Sequence, residues 1–222
     1  RTLAAITLSS AIAHLNASLM GWPSARYGLD TFWAKPPNAP ELYFHQNNTY
    51  VSAIDPPTAP TCWIALSNAT ASAGTLEIVS HSHQWPKPST DTVTTDKIRF
   101  LHAPSEDYRT PLWQAAAAAG ASEPEIVPIE ISPGSAVFIH GDLWHGSGRN
   151  LCDSKTRQSL SITTLKGDAK YQPPGKGNGY IFDRYRRMDT LELHESFYPS
   201  LWSENNYRTP FLAEYCQDTL TL

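Results

Sequence analysis

This chain has few residues suited to covalent cross-linking and few charges. Its 222 residues include three cysteines, Cys62, Cys152 and Cys216, at scattered spacings and without a C-x-x-C pair. An odd, scattered set implies neither a disulfide framework nor a zinc site, so we expect the cytoplasm or another reducing intracellular compartment. Charged residues make up 17% of the chain and the net charge is -4. Without a basic cluster, the sequence offers no surface for nucleic acid.

Long hydrophobic runs are scarce as well. No apolar run approaches the roughly 20 residues that a membrane-spanning helix needs. Segment 3–20 repeats leucine and isoleucine at an approximately helical period. Its polar side lacks lysine and arginine, so we expect a helix packed on a sheet and no membrane binding. The length and a hydrophobic share of 41% predict one domain spanning 1–222.

Short segments rich in β-branched and aromatic residues recur along the chain, separated by proline, glycine and polar turns. The expected strands are 41–47, which is the first, then 61–67, 75–80, 125–131, 135–140 and 158–165. A helix is expected at 111–119, with Gly120 as its C-cap. Many short strands joined by turns predict an all-β core of the sandwich or jelly-roll kind.

One pair of histidines carries the strongest chemical signal. His45 and Asn47 lie two residues apart at the end of a predicted strand, so their side chains are expected on one face. His145 follows a later predicted strand. A histidine, a second ligand two residues on and a distant histidine is the order of the two-histidine, one-carboxylate triad of non-haem Fe(II) oxygenases. Each histidine alone is more often an ordinary hydrogen-bonded residue.

Arg157 and Ser159 form a second candidate group beyond His145. A guanidinium can grip a carboxylate through two hydrogen bonds, and a hydroxyl on the same strand face can add a further donor. The pair is therefore suited to the far carboxylate of 2-oxoglutarate. On its own the pattern is a weak signal, because most arginines lie on the surface.

Together these motifs resemble the phytanoyl-CoA dioxygenase family of Fe(II)/2-oxoglutarate oxygenases. Similar blocks follow the family order from about residue 41 to 215. They are 43–50, 55–57, 61–66, 74–79, 134–138, 145–148, 195–199 and 207–212. The helix-rich start of the family domain is expected to lie partly before Arg1.

The resemblance implies a double-stranded β-helix, a cupin-like jelly roll with flanking helices, whose mouth holds Fe(II). His45 and His145 match the two histidine ligands, and Asn47 stands at the carboxylate position. The residues expected beside 2-oxoglutarate are Arg157, Ser147, Ser159 and Trp63. The implied activity is hydroxylation or another oxidation of a C–H bond in a small organic substrate, with O2 as the second co-substrate.

Asn47 departs from the family pattern. A carboxylate brings a full negative charge to Fe(II), whereas an amide oxygen brings only a dipole, and hard cations favour the carboxylate. Three interpretations stay open: a deliberately inactivated protein, a naturally weakened or non-catalytic member, and an oxygenase that tolerates an amide. The alternative to an enzyme is a catalytically silent jelly-roll binding protein that retains the pocket. The substrate and the oligomeric state do not follow from the sequence.

Overall fold

The computed structural model describes residues 2–86, 106–177 and 181–215, so Cys216 lies outside the described residues. The helices in these ranges are α1 (Thr2–Thr7), α2 (Ser10–Met20), α3 (Thr110–Ala118) and α4 (Leu212–Tyr215). The strands are β1 (Ser24–Lys35), β2 (Leu42–His45), β3 (Ile54–Asp55), β4 (Thr61–Ala65), β5 (Leu76–Val79), β6 (Ile126–Pro128), β7 (Ala136–Ile139), β8 (His145–Ser147), β9 (Arg157–Lys166), β10 (Lys170–Tyr171) and β11 (Ser200–Ser203).

Two antiparallel sheets form the core. The larger has the strand order β11-β1-β9-β4-β7, and the smaller has the order β2-β8-β5-β6. From β1 to β9 the chain passes repeatedly from one of these sheets to the other, which is the winding of a double-stranded β-helix. The predicted jelly roll with flanking helices is confirmed.

The ladder between β1 and β9 is a main support of the larger sheet. It runs from Ala25 opposite Lys166 to Lys35 opposite Arg157. The sequence expectation of a first strand at 41–47 is wrong, because β1 precedes it. Gly28 lies within β1 where the register shifts, and glycine is a poor strand former. A Cβ there would meet the Thr163 carbonyl oxygen at 3.0 Å, so close packing favours glycine at this position.

Helices α1 and α2 pack on the larger sheet. Ala13 and Ala17 are fully buried in a cluster that includes Leu201 of β11, and the His14 ring stacks on Trp202 with centroids 4.5 Å apart. Over Thr2–Met20 the length and composition match those of a membrane-crossing helix, which corrects the expectation that no such run exists. In the structure its buried side covers the β-sheet, as predicted for this segment.

Candidate metal and co-substrate site

A cavity of about 130 Å³ opens between the two sheets. Residues from β1, β2, β4, β8 and β9 line it, together with the loop that follows β2. The predicted site residues on its wall are His45, Asn47, Trp63, His145, Ser147 and Arg157. Folding therefore brings together all but one of the predicted site residues, and the exception is Ser159.

Strands β2 and β8 place the two histidines opposite each other. His45 and His145 are register partners, and their ring centroids lie 4.3 Å apart. Nδ1 of His45 is 2.8 Å from the Tyr43 carbonyl oxygen, and Nδ1 of His145 is 2.8 Å from that of Leu143. A carbonyl oxygen only accepts, so Nδ1 carries the proton in each neutral ring and Nε2 carries the lone pair.

Burial keeps both imidazoles neutral. It lowers the pKa of His145, and burial together with the neighbouring His145 ring lowers the pKa of His45 well below its usual value. A metal binds the neutral form of imidazole, so protons compete little for these nitrogens at neutral pH. The two Nε2 atoms can therefore act as ligands to one divalent metal. Metal binding itself stays a prediction.

Asn47 reaches the cavity from a different element than predicted. Strand β2 ends at His45, and Asn47 opens the 3₁₀ helix Asn47–Val51, so the expected strand alternation does not apply. The side chain nevertheless lines the cavity. Its Nδ2 donates to Thr61 Oγ1 at 3.0 Å. Because this bond uses the amide nitrogen, the amide oxygen is the atom that a metal would take.

The residues on both sides of Asn47 tie its helix to the loop before His145. Gln46 Nε2 donates to the Asp142 carbonyl oxygen at 2.5 Å, and Asn48 Nδ2 donates to Asp142 Oδ1 at 2.7 Å. Both amide side chains are buried, which strengthens their effect on geometry. These bonds fix the position of Asn47 relative to His145.

Arg157 lies at the start of β9 and is 4% exposed. One Nη donates to Ser159 Oγ at 2.6 Å and the other to the Gly74 carbonyl oxygen at 3.2 Å. The guanidinium carbon is 5.6 Å from the centroid of the Trp63 ring. Its buried Nε has no hydrogen-bond partner, and within the described ranges no carboxylate forms an ion pair with it. A buried cation without a counter-ion is a candidate anion-binding group.

The two predicted serines have different positions. Ser147 lines the cavity, as expected for a co-substrate contact. Ser159 is fully buried, does not line the cavity and accepts the hydrogen bond from Arg157. A direct contact between Ser159 and the co-substrate stays a prediction, and in the structure its hydroxyl orients the Arg157 guanidinium.

Lys35, the last residue of β1, is a site residue that sequence reasoning missed. It is 5% exposed, and its Nζ donates to Ser147 Oγ at 2.8 Å and to the Gly148 carbonyl oxygen. Burial and the nearby Arg157 charge lower the pKa of Lys35 from 10.5 to about 7. The signal that could have revealed it is the period-two series Leu29, Thr31 and Trp33, whose side chains line the cavity and which Lys35 continues by strand alternation.

The site fits a dicarboxylate well and a metal in part. Arg157 supplies a buried guanidinium whose Nε–H has no hydrogen-bond partner, and Lys35 supplies a buried amine that can take up a proton. For the metal, two imidazoles and one amide oxygen are at hand. No group of three or more histidine, cysteine, aspartate or glutamate side chains suited to a metal occurs in 2–86, 106–177 and 181–215. A divalent metal held by these three groups would lack the negative charge that a carboxylate ligand supplies.

A jelly roll with two paired imidazoles at its cavity defines a cupin-like protein. The model of the family described as Phytanoyl-CoA dioxygenase (PhyH) matches residues 3–159, and the chain belongs to this family. The family resemblance seen in the sequence is thus confirmed.

Two plant proteins are similar to this chain. Phytanoyl-CoA dioxygenase 1 of Oryza sativa subsp. japonica is 31% identical over 125 residues, which are 56% of this chain and 39% of the rice protein. Phytanoyl-CoA dioxygenase of Arabidopsis thaliana is 30% identical over 128 residues, 58% of this chain and 40% of that protein. The chain spans about two fifths of the length of these relatives.

Solved structures share the fold. The epimerase SnoN in complex with Fe3+, alpha ketoglutarate and nogalamycin RO has a TM-score of 0.65 and 20% identity, over 90% of this chain and 74% of SnoN. EctD from S. alaskensis with bound Fe has a TM-score of 0.58 and 18% identity, over 86% of this chain and 63% of EctD. At these identities the likeness shows the fold alone.

Proposed function

We propose that this chain is the core of a mononuclear non-haem Fe(II)/2-oxoglutarate-dependent oxygenase acting on a C–H bond of a small organic substrate. The observation that carries the proposal is the pairing of His45 and His145 across β2 and β8 on the wall of a cavity that also holds Arg157. Family membership supports it. So do neighbours of the same fold whose names include iron and alpha ketoglutarate.

In this proposal the metal would be held by Nε2 of His45, Nε2 of His145 and the amide oxygen of Asn47. Arg157 would hold the far carboxylate of 2-oxoglutarate, with the Ser147 hydroxyl beside it. When bound, Fe(II) and 2-oxoglutarate together supply the activation of O2 needed to oxidise an unactivated C–H bond. The protein orients the co-substrate and keeps the imidazoles neutral.

Apolar side chains form much of the remaining cavity wall. They are Leu29, Leu42, Val51, Ala59, Leu76, Ile139 and Phe182. Such a wall excludes water from the reacting centre and strengthens the electrostatic contacts inside it. It would receive the part of the substrate that carries the C–H bond.

One observation favours a second candidate, a silent jelly-roll binding protein. Asn47 leaves the metal position without a carboxylate, and the charge that normally retains Fe(II) is missing. Such a protein would keep the anion-binding residues Lys35 and Arg157, and would bind a carboxylate ligand without turnover.

Succinate release separates the two candidates. The protein is loaded with excess Fe(II) under anaerobic conditions, then given 2-oxoglutarate and O2. We expect slow, iron-dependent succinate formation that the His145→Ala variant loses while retaining its fold by circular dichroism. Protein that binds no Fe(II) in equilibrium dialysis and releases no succinate at any iron concentration would contradict the oxygenase and favour the binding protein.

A further inference from the structure

Lys35 and Arg157 place a buried amine and a buried guanidinium on paired positions of two neighbouring strands. They are register partners at one end of the β1–β9 ladder. Arg157 lines the cavity, and Lys35 reaches it through Ser147, a lining residue whose Oγ accepts a hydrogen bond of 2.8 Å from Lys35 Nζ. Arg157 directs its two Nη groups at Ser159 and Gly74. Lys35 directs its Nζ at a hydroxyl and a carbonyl, which are neutral acceptors. Neither contact set includes a negative charge.

The two carboxylates that act on Lys35 already have other partners. Arg149 binds both carboxylate oxygens of Glu41 at 3.2 Å. Glu77 accepts a hydrogen bond of 3.0 Å from the Tyr108 hydroxyl and forms an ion pair of 3.6 Å with Arg109. Among the described residues neither carboxylate forms an ion pair with Lys35.

The remaining charges around Lys35 are cations. Arg157 on β9 and Arg149 beyond β8 both oppose its protonation, whereas Glu41 and Glu77 favour it from a distance. A guanidinium cannot release its proton in a protein, but a lysine can. Of the two buried neighbours, Lys35 is therefore the one whose charge adjusts to what the cavity holds.

We propose that Lys35 is a further co-substrate contact that takes up a proton when a dicarboxylate binds between it and Arg157. The inference rests on the proposed function, because it assumes that the cavity receives 2-oxoglutarate. A carboxylate at this position supplies the missing counter-charge for both groups. The neutral amine of Lys35 then gains a proton from the solvent, and the ammonium form donates to the bound carboxylate.

The direction of the pH dependence follows from the two states of Lys35. In the ligand-free protein its pKa is about 7, because of burial and the Arg157 charge. A bound carboxylate raises this pKa back toward 10.5, the ordinary value. Between these values the free protein binds fewer protons than the complex, so affinity falls as pH rises, by up to about tenfold per pH unit. Below pH 7 this group adds no pH dependence.

Calorimetry in paired buffers tests the proton uptake. 2-Oxoglutarate is titrated into the Mn(II)-loaded full chain at pH 8.5, in buffers of high and low ionisation enthalpy. The slope of binding enthalpy against buffer enthalpy gives the number of protons taken up, and we expect about one. A slope of zero in the unsubstituted protein would overturn the proposal.

Two variants at one position provide matched controls. Lys35→Arg keeps a permanent cation, so it should bind 2-oxoglutarate with no proton uptake and with little change in affinity between pH 7 and 9. Lys35→Met should lose the uptake and bind about tenfold to a hundredfold more weakly at pH 7, since a charged hydrogen bond is removed. An unchanged buffer dependence in both variants would assign the proton to another group and overturn the role of Lys35.

Failure of the proposed function would look different. Absence of any 2-oxoglutarate binding in the presence of Mn(II) would overturn the oxygenase and this inference together. Binding with proton uptake but without succinate formation would support the role of Lys35 and contradict the oxygenase. Binding and succinate formation without proton uptake would overturn the inference alone.

Discussion

Replacement of Arg157 by alanine should separate co-substrate binding from metal binding. Arg157 is 4% exposed, and hydrogen bonds to Ser159 and Gly74 hold its guanidinium in place. Removing one partner of a buried, charge-assisted contact costs about 2–5 kcal/mol. At about 1.4 kcal/mol per tenfold, this corresponds to a loss in 2-oxoglutarate affinity of roughly thirtyfold to several thousandfold.

A neighbouring group should reduce this loss. In the Arg157→Ala variant the charge that helps to lower the pKa of Lys35 is gone, so Lys35 becomes more fully protonated and provides part of the missing attraction. We therefore expect the lower half of the range, about thirtyfold to a few hundredfold. The imidazoles of His45 and His145 are not contacts of Arg157, so Mn(II) affinity should change little.

Isothermal titration calorimetry measures both affinities on the same protein. The matched control is Arg149→Ala, because the Arg149 side chain is 45% exposed and pairs with Glu41 at the surface. An exposed pair of this kind contributes about 1 kcal/mol or less, so co-substrate affinity should hardly change. Unchanged 2-oxoglutarate affinity in Arg157→Ala, or an equal loss in the control, would refute the assignment.

Two further predictions concern stability. Unfolded protein binds more protons at Lys35 than folded protein between pH 7 and 10.5, so the free energy of unfolding should rise with pH across this window. Urea unfolding of the Lys35→Met variant should lack this rise. Identical pH profiles for the variant and the unsubstituted protein would refute the prediction. Gly146→Ala should cost about 1–3 kcal/mol, because a Cβ would lie 2.7 Å from Phe44 Cδ2 and 3.0 Å from the Leu42 carbonyl oxygen. Gly148→Ala should destabilise the protein less, because the nearest atom to a Cβ at that position is in the flexible Glu77 side chain, at 3.3 Å. Equal losses of unfolding free energy for the two variants in urea would contradict the tight packing at Gly146.

The parts of the site that local patterns encode were predicted from the sequence. His45 and His145 each lie in a short, β-rich segment, and strand pairing makes them register partners. Arg157 begins a long strand of ten residues that is rich in aliphatic and β-branched side chains. These residues could be predicted because the strand period and the order of the motifs both follow from the way the strands pair.

The parts that depend on tertiary contacts were not predicted. In the sequence Lys35 is simply the residue before two prolines, which gives no sign of a role in the site. That role follows only from the β1–β9 ladder, which places Lys35 opposite Arg157. Asn47 was expected on the face of His45 by strand alternation, yet a 3₁₀ helix starts there, and bonds from both flanking amides to the Asp142 loop hold it. A local sequence pattern shows neither where β2 ends nor that Ser159 is buried against Arg157.

Asn47→Asp is the substitution that addresses the central claim. The Nδ2 of Asn47 donates to the Thr61 hydroxyl in the present protein. A hydroxyl can also donate, so Thr61 can keep the same contact with a carboxylate oxygen at position 47. The variant then adds one negative charge at the metal position while its surroundings stay in place. Asn68→Asp adds the same charge at an exposed position and serves as the control.

The most direct measurement is bound iron and succinate release, compared in the unsubstituted protein, Asn47→Asp and Asn68→Asp. We expect Asn47→Asp to bind Fe(II) more tightly and to release succinate faster, since the carboxylate completes the two-histidine, one-carboxylate triad. The control should match the unsubstituted protein. Equal, brisk turnover by the unsubstituted protein and Asn47→Asp would show that the site works without the carboxylate. Slow or absent turnover with no gain of iron or succinate in Asn47→Asp would contradict an oxygenase site built on His45 and His145, and would favour the silent binding protein.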